Sequence, residues 1–182
     1  MYGGSAAGGR RTPGGINIIE ATVQRYPCGT DSPDVTDDGW AFGDPSSDTF
    51  ALGVAVDNAA VDTRDGDGDI VVVGATKGDI AEGLVFPNDA ARADSRADDS
   101  IYSNANPSNS TTDAFVVRFD RNGTVVWWCQ LGSTGDDRAT SVAIDQDDGT
   151  VVVTGYVHNG SGTGAALNEA FVIVRGLSWR RF

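Results

Sequence analysis

Short apolar runs recur along the chain, and turn-forming residues separate them. Four of these runs are FALGVAVD (50–57), DIVVVGAT (69–76), DAFVVRFD (113–120) and TVVWWCQL (124–131). Valine dominates them, and β-branched side chains suit a pleated, half-buried surface better than a helix. The length and residue types of the runs therefore predict a succession of β-strands.

Turn signals connect these strands into hairpins. The Asn-Gly pair at 122–123 joins the third and fourth runs, and it supplies the positive φ that a tight hairpin turn requires. The Asp-Asp-Gly sequence at 147–149 joins two later runs, 141–145 and 150–157, and a further run follows at 170–176. We therefore predict two hairpins at these turns.

The fourth run is apolar on both of its faces. Side chains alternate along a strand, which places Val125, Trp127, Cys129 and Leu131 on one face and Val126, Trp128 and Gln130 on the other. In a strand of a sheet with one solvent-exposed face, apolar and polar residues would alternate more regularly. The pattern indicates a sheet that is covered on both sides.

The elements also repeat in order. A Trp, a first Asp and a second Asp are spaced by 8 and then 9 residues twice, in Trp40–Asp48–Asp57 and in Trp128–Asp136–Asp145. Matched positions continue downstream as Gly68 with Gly149, Gly74 with Gly155, and Asp113 with Glu169. Repeats of one supersecondary unit indicate an architecture of stacked, similar sheets.

The repeat resembles a known family. An Asp-Ala-Phe-Val strand, an Asn-Gly turn, a Trp, a Gly with paired Asp, an Ala-x-Asp strand and a Val-x-Val-x-Gly strand follow one another in residues 113–157. This order is similar to the bacterial-type β-propeller repeat known as the SBBP repeat. Phe86-Pro87 resembles a Phe-Pro of that family's long loop, and the resemblance covers roughly residues 40–175.

We expect an all-β fold: a partial β-propeller of four-stranded antiparallel blades, with about one complete blade and parts of its neighbours. The expected units are a flexible Gly-rich leader (1–15), a partial preceding blade (16–48), a complete blade (49–131) with a long loop (79–110), and an incomplete second blade (132–182). Propellers close with about 4 to 8 blades. We therefore expect a piece of a larger propeller, or a unit that associates to complete one.

Charge and hydropathy narrow the classes of partner. The net charge is −13 with a pI near 4.2, whereas nucleic acids and anionic membranes are bound by clustered positive charge. Apolar runs stay well short of the roughly 20 residues that span a bilayer, so we expect no membrane insertion. The expected partners are further propeller blades or another copy of the chain, together with a protein or carbohydrate ligand.

The compartment follows mainly from the resemblance. The first residues lack the apolar segment of a secretory signal, so we expect no signal peptide within this chain. The resemblance implies a location outside the cell or at its surface, because such repeats are known mainly from surface and secreted proteins.

One acidic loop is a candidate metal site. Asp65, Asp67 and Asp69 alternate on a Gly-rich turn and could direct hard oxygen ligands to Ca²⁺. The loop is not an EF-hand, since the Gly and Glu positions of that motif fall on Ile70 and Thr76. It shows a weaker likeness to the calcium loops of integrin-type FG-GAP propeller repeats. The alternative is a solvated acidic hairpin loop.

Other residues with reactive side chains carry weaker signals. Asp136 and Asp137 are paired carboxylates, but aspartates in turns commonly bind their own backbone. His158 is the single His and lacks a nucleophile motif beside it. Cys28 and Cys129 are too few for a zinc site; Cys129 is expected to be a buried apolar side chain, and whether the two pair stays open.

These observations favour a non-catalytic β-propeller-repeat scaffold or binding module, part of a larger surface or secreted protein, with no catalytic residues and no cofactor other than Ca²⁺. Two alternatives stay open. One is a calcium-stabilised, integrin-like adhesion propeller of the FG-GAP type. The other is a fragment of a propeller enzyme whose catalytic residues lie elsewhere.

Overall fold

The computed structural model describes residues 2–11, 17–25, 39–57, 68–84, 111–120, 122–133, 135–159 and 167–175. Within these ranges the chain forms β-strands and one 3₁₀ helix, Ile80–Gly83, and no α-helix. The strands are β1 (Tyr2–Arg11), β2 (Asn17–Arg25), β3 (Gly39–Phe42), β4 (Thr49–Asp57), β5 (Asp69–Thr76), β6 (Asp113–Phe119), β7 (Val125–Leu131), β8 (Arg138–Ile144), β9 (Val151–Asn159) and β10 (Leu167–Arg175). The predicted all-β class is confirmed.

The strands form three antiparallel sheets, each built from consecutive strands. The first sheet is β1-β2-β3, the central sheet is β4-β5-β6-β7, and the third sheet is β8-β9-β10. None of these sheets closes on itself. The central sheet extends over residues 49–131, and its four strands pair in chain order.

Both predicted hairpins are present. Between β6 and β7 the Asp120 amide donates to Thr124 O at 2.8 Å, and Gly123 has a φ of 82°. Between β8 and β9 the Asp145 amide donates to Thr150 O at 2.8 Å, and Gly149 has a φ of 72°. In each turn the glycine adopts the left-handed conformation that other residues rarely adopt.

Two apolar cores lie on opposite faces of the central sheet. The first core joins the first sheet, the central sheet and the 3₁₀ helix, with Ala21, Val23, Phe42, Ile70, Val72, Ile80, Ala81, Leu84, Phe115, Val117, Phe119, Val125 and Trp128. The second core joins the central and third sheets, with Val71, Val73, Ala114, Val116, Cys129, Leu131, Ala139, Val151 and Val153. The central sheet is thus buried on both sides, as the apolar pattern of its fourth strand indicates.

The predicted alternation along β7 is wrong at its first two residues. Trp127 packs against the second core and Trp128 lies in the first, but Val125 shares the first core with Trp128. A β-bulge is the reason: the ladder pairs Arg118 with Trp127 and Phe119 with Val125, which leaves Val126 outside it. Val126 is 44% exposed.

The predicted match of Trp40 with Trp128 is shifted by one residue. Trp40 packs on the first core from the first sheet, so it faces the sheet that follows it in the chain. Trp127 also faces the following sheet, whereas Trp128 faces the preceding one. Trp127 is therefore the structural counterpart of Trp40. Trp40 precedes Ala51 of β4 by 11 residues and Trp127 precedes the corresponding Ala139 of β8 by 12, so the first of these segments is one residue shorter.

Part of the segment expected as a flexible Gly-rich leader (1–15) lies in a strand. Its residues 2–11 form strand β1, which pairs with β2 from Tyr2 opposite Arg25 to Arg11 opposite Asn17. Glycine-rich sequences have weak intrinsic strand preference, so pairing with β2 rather than local propensity accounts for this strand.

The central and third sheets repeat each other in detail. The β4–β5 ladder shifts register between Ala51 and Gly53, and the β8–β9 ladder shifts between Ala139 and Ser141. These positions correspond in the predicted repeat. The first strands of the two sheets, β4 and β8, therefore bulge at equivalent positions.

A glycine contact repeats as well. A Cβ on Gly74 would lie 1.9 Å from Phe50 O and 2.8 Å from the Phe115 ring, and one on Gly155 would lie 2.1 Å from Arg138 O and 2.6 Å from the Phe171 ring. In each sheet, glycine allows an aromatic ring of the third strand to lie against the second strand. The predicted match of Gly74 with Gly155 has a physical basis in this contact.

Candidate functional site

Polar side chains cluster at the two ends of the central sheet, and several of them are buried. We call one the arginine end, formed by Asp57, Asp69 and Arg118. We call the other the acidic end, formed by Thr112, Asp113, Gln130, Ser133, Asp136 and Asp137 together with the backbone of Gly78, Ile80 and His158. Buried polar groups need partners, so each end has a specific hydrogen-bond arrangement.

The arginine end is an ion-pair cluster. Arg118 Nη2 donates to Asp57 Oδ2 at 2.6 Å, and Arg118 Nε donates to Asp69 Oδ2 at 2.8 Å. The Asp57 side chain is 2% exposed. One guanidinium thus binds the end of β4 to the start of β5, and its planar fork suits two carboxylates at once.

The candidate calcium loop leads into this end of the sheet. Asp65 and Asp67 lie outside the described residues, so the predicted Ca²⁺ site stays a prediction. The structure places Asp69 beside Arg118, where its carboxylate accepts a charged hydrogen bond. Among the described residues no group of three or more His, Cys, Asp or Glu side chains has an arrangement suited to a metal ion.

Gln130 organises the acidic end. Its Nε2 donates to Gly78 O at 3.0 Å and to Asp113 Oδ2 at 2.8 Å, and its Oε1 accepts from the Ile80 amide at 3.0 Å. One buried amide therefore ties the fourth strand of the sheet to the turn after β5 and to the start of β6. These contacts use both the donor and the acceptor of the side chain.

Asp113 is buried beside this amide. It is 3% exposed, and its Oδ1 has no hydrogen-bond partner among the residues that the structure describes. Burial raises the pKa of Asp113 to about 6; the hydrogen bond from Gln130 lowers the pKa, and the nearby charge of Asp137 raises it. Desolvation is the largest of these effects, because a buried carboxylate loses its hydration.

Asp137 fixes the backbone around it. It accepts from the Ser133 amide, from Ser133 Oγ at 3.0 Å and from the His158 amide at 2.7 Å. Ser133 Oγ also donates to His158 O at 2.8 Å. The fully buried carboxylate therefore links the loop before β8 to the end of β9.

The neighbouring Asp136 points to another segment. Its Oδ1 accepts from the Thr112 amide at 2.9 Å and from Thr112 Oγ1 at 3.1 Å. The hydrogen bond from the Thr112 backbone is the main reason that the pKa of Asp136 lies below its ordinary value. Asp136 and Asp137 thus secure different loops, which is a structural use of paired carboxylates.

The Ser133 hydroxyl lies beside the Asp137 carboxylate. It donates to Asp137 Oδ1 at 3.0 Å and to His158 O at 2.8 Å, and the His158 amide donates to the same carboxylate oxygen. The acidic end holds these loops in place, and burial raises the pKa of its Asp113 to about 6.

Sequence reasoning overlooked Arg118, Gln130 and Asp113. Arg118 and Gln130 are single polar residues within apolar strands, and Asp113 is the first residue of such a strand. An isolated polar residue in an apolar run is a usable signal, because it must find a partner in the core. The identity of the partner depends on the pairing of distant strands.

Comparisons with known proteins add no family assignment. A scan of the sequence against protein-family models gives no match, and a search of curated proteins finds no similar sequence. A search of the described part of the chain finds no helix long and apolar enough to cross a membrane.

Proposed function

We propose that this chain is a non-catalytic β-propeller-repeat scaffold or binding module, part of a larger surface or secreted protein. One observation carries the proposal: the central sheet is covered on both faces by sheets of similar build. Propeller blades are four-stranded antiparallel sheets stacked in this way. We propose that the chain assembles with further blades or with another copy of itself. The proposed ligand is a protein or a carbohydrate.

The way the sheets approach each other supports this proposal. The backbone of β8 lies close to β4, β5 and β6, whereas β9 and β10 meet the central sheet through side chains such as Val151, Val153 and Phe171. Strand β4 likewise contacts β1 and β2 of the first sheet. In the central and third sheets the first strand thus meets the preceding sheet, as expected for blades that converge on a common axis.

Strands β4 and β8 lie close together at Gly53. A Cβ on Gly53 would be 3.5 Å from Ser141 Cα and 3.5 Å from Thr140 O, which is ordinary contact distance. There is therefore no room for a layer of longer side chains between β4 and β8 at this point. Two sheets stacked face to face at a constant distance would be about 10 Å apart.

Nuclear Overhauser spectroscopy on isotope-labelled protein tests this arrangement. We expect cross-peaks between the Hα protons of Gly53 and Ser141, and none between backbone protons of β6 and β10. Cross-peaks of similar strength along both pairs of strands would contradict a propeller and favour a flat stack of sheets. Spectra of the unmodified protein suffice, so the test does not depend on a substitution that unfolds it.

A further inference from the structure

The turn between β6 and β7 carries an asparagine followed by a glycine. Asn122 is exposed, and Gly123 has no side chain to hinder reactions of its backbone nitrogen. In such a pair the glycine nitrogen can attack Cγ of the asparagine: a bond forms between this nitrogen and Cγ, the bond between Cγ and Nδ2 breaks, and the amide proton leaves with the ammonia. Water then opens the succinimide ring at either carbonyl, which gives aspartate or isoaspartate. Apart from water, the turn therefore contains all the reactants for deamidation.

The folded turn restrains the attacking nitrogen. The Gly123 amide donates to Asp120 O at 3.0 Å, and Asp120 Oδ1 accepts from the amides of Asn122 and Thr124 at 2.8 Å each. A nitrogen whose proton is held by a carbonyl oxygen is not free to turn towards Cγ or to release that proton. Ring closure therefore requires local opening of the turn, and its rate depends on the free energy of that opening.

Trp40 of the first sheet covers this turn. A Cβ on Gly123 would lie 2.9 Å from Trp40 Cδ2, so the indole ring occupies the space that a side chain would need. The same ring packs edge-to-face against Phe119 at the end of β6, with 5.6 Å between the ring centroids. Opening of the turn either moves Gly123 away from Trp40 or displaces the indole. Contact between the first and central sheets therefore stabilises the closed turn.

The hairpin between β8 and β9 provides an internal comparison. Asp148 precedes Gly149 there, and an Asp-Gly pair forms the same ring from a neutral carboxyl group, with loss of water. Hydrogen bonds from Thr150 lower the pKa of Asp148, which keeps this carboxyl group charged at neutral pH. A Cβ on Gly149 would meet Asp57 Oδ2 at 3.4 Å rather than an aromatic ring. The β6–β7 turn thus differs from its counterpart both in its leaving group and in its aromatic cover.

We propose that Asn122 is a site of spontaneous deamidation and that contact of Trp40 with Gly123 controls its rate. Isoaspartate at position 122 places an additional carbon atom in the main chain, so the hydrogen bonds to Asp120 cannot re-form in their present geometry. Deamidation therefore converts a transient opening of the contact between the first and central sheets into a lasting change. The inference goes beyond the proposed function, because it needs only the contact between these two sheets.

Incubation of the purified protein at mildly alkaline pH, followed by proteolysis and peptide mass spectrometry, tests the proposal. Peptides that contain residue 122 report conversion of the side-chain amide to a carboxyl group, and electron-transfer fragmentation distinguishes isoaspartate from aspartate. The folded wild-type protein should deamidate at Asn122 at least about tenfold more slowly than the same protein in urea. Trp40→Ala should accelerate the reaction of the folded protein at least about fivefold, because the turn loses its aromatic contact.

Two further variants separate this contact from overall stability. Trp40→Phe keeps an aromatic ring at the turn and should stay within about twofold of the wild-type rate. Val153→Ala removes buried volume from the second core, on the opposite face of the central sheet, and should leave the rate at Asn122 nearly unchanged. Urea denaturation shows whether each variant is folded and how much stability it has lost.

Several results would overturn the proposal. Equal rates in the folded and the urea-unfolded protein would do so, as would the absence of any product at Asn122 in urea. A Trp40→Ala protein that reacts no faster than the wild type, or no faster than Val153→Ala, would show that the indole does not control the rate. If Trp40→Ala does not fold, Trp40→Leu replaces it, since leucine keeps apolar volume without a flat ring. Hydrogen exchange of the Gly123 amide in the wild-type protein needs no variant, and exchange as fast as in an unfolded peptide would contradict a closed turn.

Discussion

The two ends of the central sheet bury carboxylates in different ways. At the arginine end, Asp57 and Asp69 share one guanidinium at 2.6 and 2.8 Å. At the acidic end, Asp113 is held by the neutral amide of Gln130 and lies near the charge of Asp137. A counterion stabilises the charged form of a buried carboxylate, whereas a neutral donor only partly offsets its desolvation. The arginine end therefore pairs its carboxylates with a cation, whereas at the acidic end desolvation raises the pKa of Asp113.

The largest expected effect comes from removing the cation of the arginine end. Arg118→Met keeps the apolar stem of the side chain but leaves the nearly inaccessible Asp57 carboxylate without its guanidinium. We expect the free energy of unfolding to fall by about 3 kcal/mol at neutral pH, as is typical when one partner of a buried ion pair is removed. Urea denaturation measures this change.

An exposed ion pair provides the control. Lys77 Nζ lies 2.8 Å from Asp48 Oδ2, but the two side chains are 37% and 25% exposed. Lys77→Met should cost less than about 1 kcal/mol, because water already solvates both charges. If the two substitutions had equal effects, burial would not be what distinguishes the arginine end.

A smaller effect is expected from Gln130 at the acidic end. Gln130→Leu leaves the Ile80 amide and Gly78 O without their partner and removes the donor to Asp113. Buried groups without partners cost about 1–3 kcal/mol, so we expect a loss of about 2 kcal/mol. Gln146→Leu is the matched control, because Gln146 is exposed and its bond to Val56 O is 3.2 Å long. Comparable losses in both variants would show that the buried amide has no special role.

The smallest expected effect is a gain in stability that depends on pH. The pKa of Asp113 rises from 3.8 to about 6 on folding. The stability linked to this proton is fully present below pH 3.8 and is lost as the pH rises through 6. Asp113→Asn keeps the shape and the acceptor for Gln130 but carries no charge, so it should be about 1–2 kcal/mol more stable than wild type at pH 7.5.

The same comparison at pH 4 is the control, since the wild-type carboxyl is then largely protonated in the folded protein. We expect the variant and the wild type to differ little there. Urea denaturation across this pH range measures both values. Parallel pH profiles of the two proteins would mean that Asp113 keeps its ordinary pKa.

The strands could be read from the sequence because local signals determine them. Apolar runs rich in valine gave the strands of the central sheet, and the glycines at 123 and 149 gave the two hairpins. The equivalence of Gly74 and Gly155 was also visible, because a close contact with an aromatic ring admits only glycine there. These features depend on neighbours in sequence or on one strongly constrained residue.

The remaining features depend on contacts between distant residues. The bulge at Val126 changes which face Val125 occupies, and alternation alone cannot locate a bulge. Strand β1 depends on its pairing with β2, against its own composition. Gln130 and Asp113 are neighbours only because β6 and β7 pair in a particular register. The contacts of the acidic end therefore could not be predicted from the sequence, although the residues that make them are all present in it.

The serial order of the strands has a consequence for synthesis of the protein. Each of the three sheets consists of strands that are consecutive in the chain. A sheet can therefore form as soon as its own strands have left the ribosome, before the next sheet is synthesised. The central sheet can bury its first face against β1–β3 during translation, while its second face stays uncovered until β8 and β9 appear. During that interval Val71, Val73 and Val116 are accessible to chaperones, which bind apolar surface of this kind.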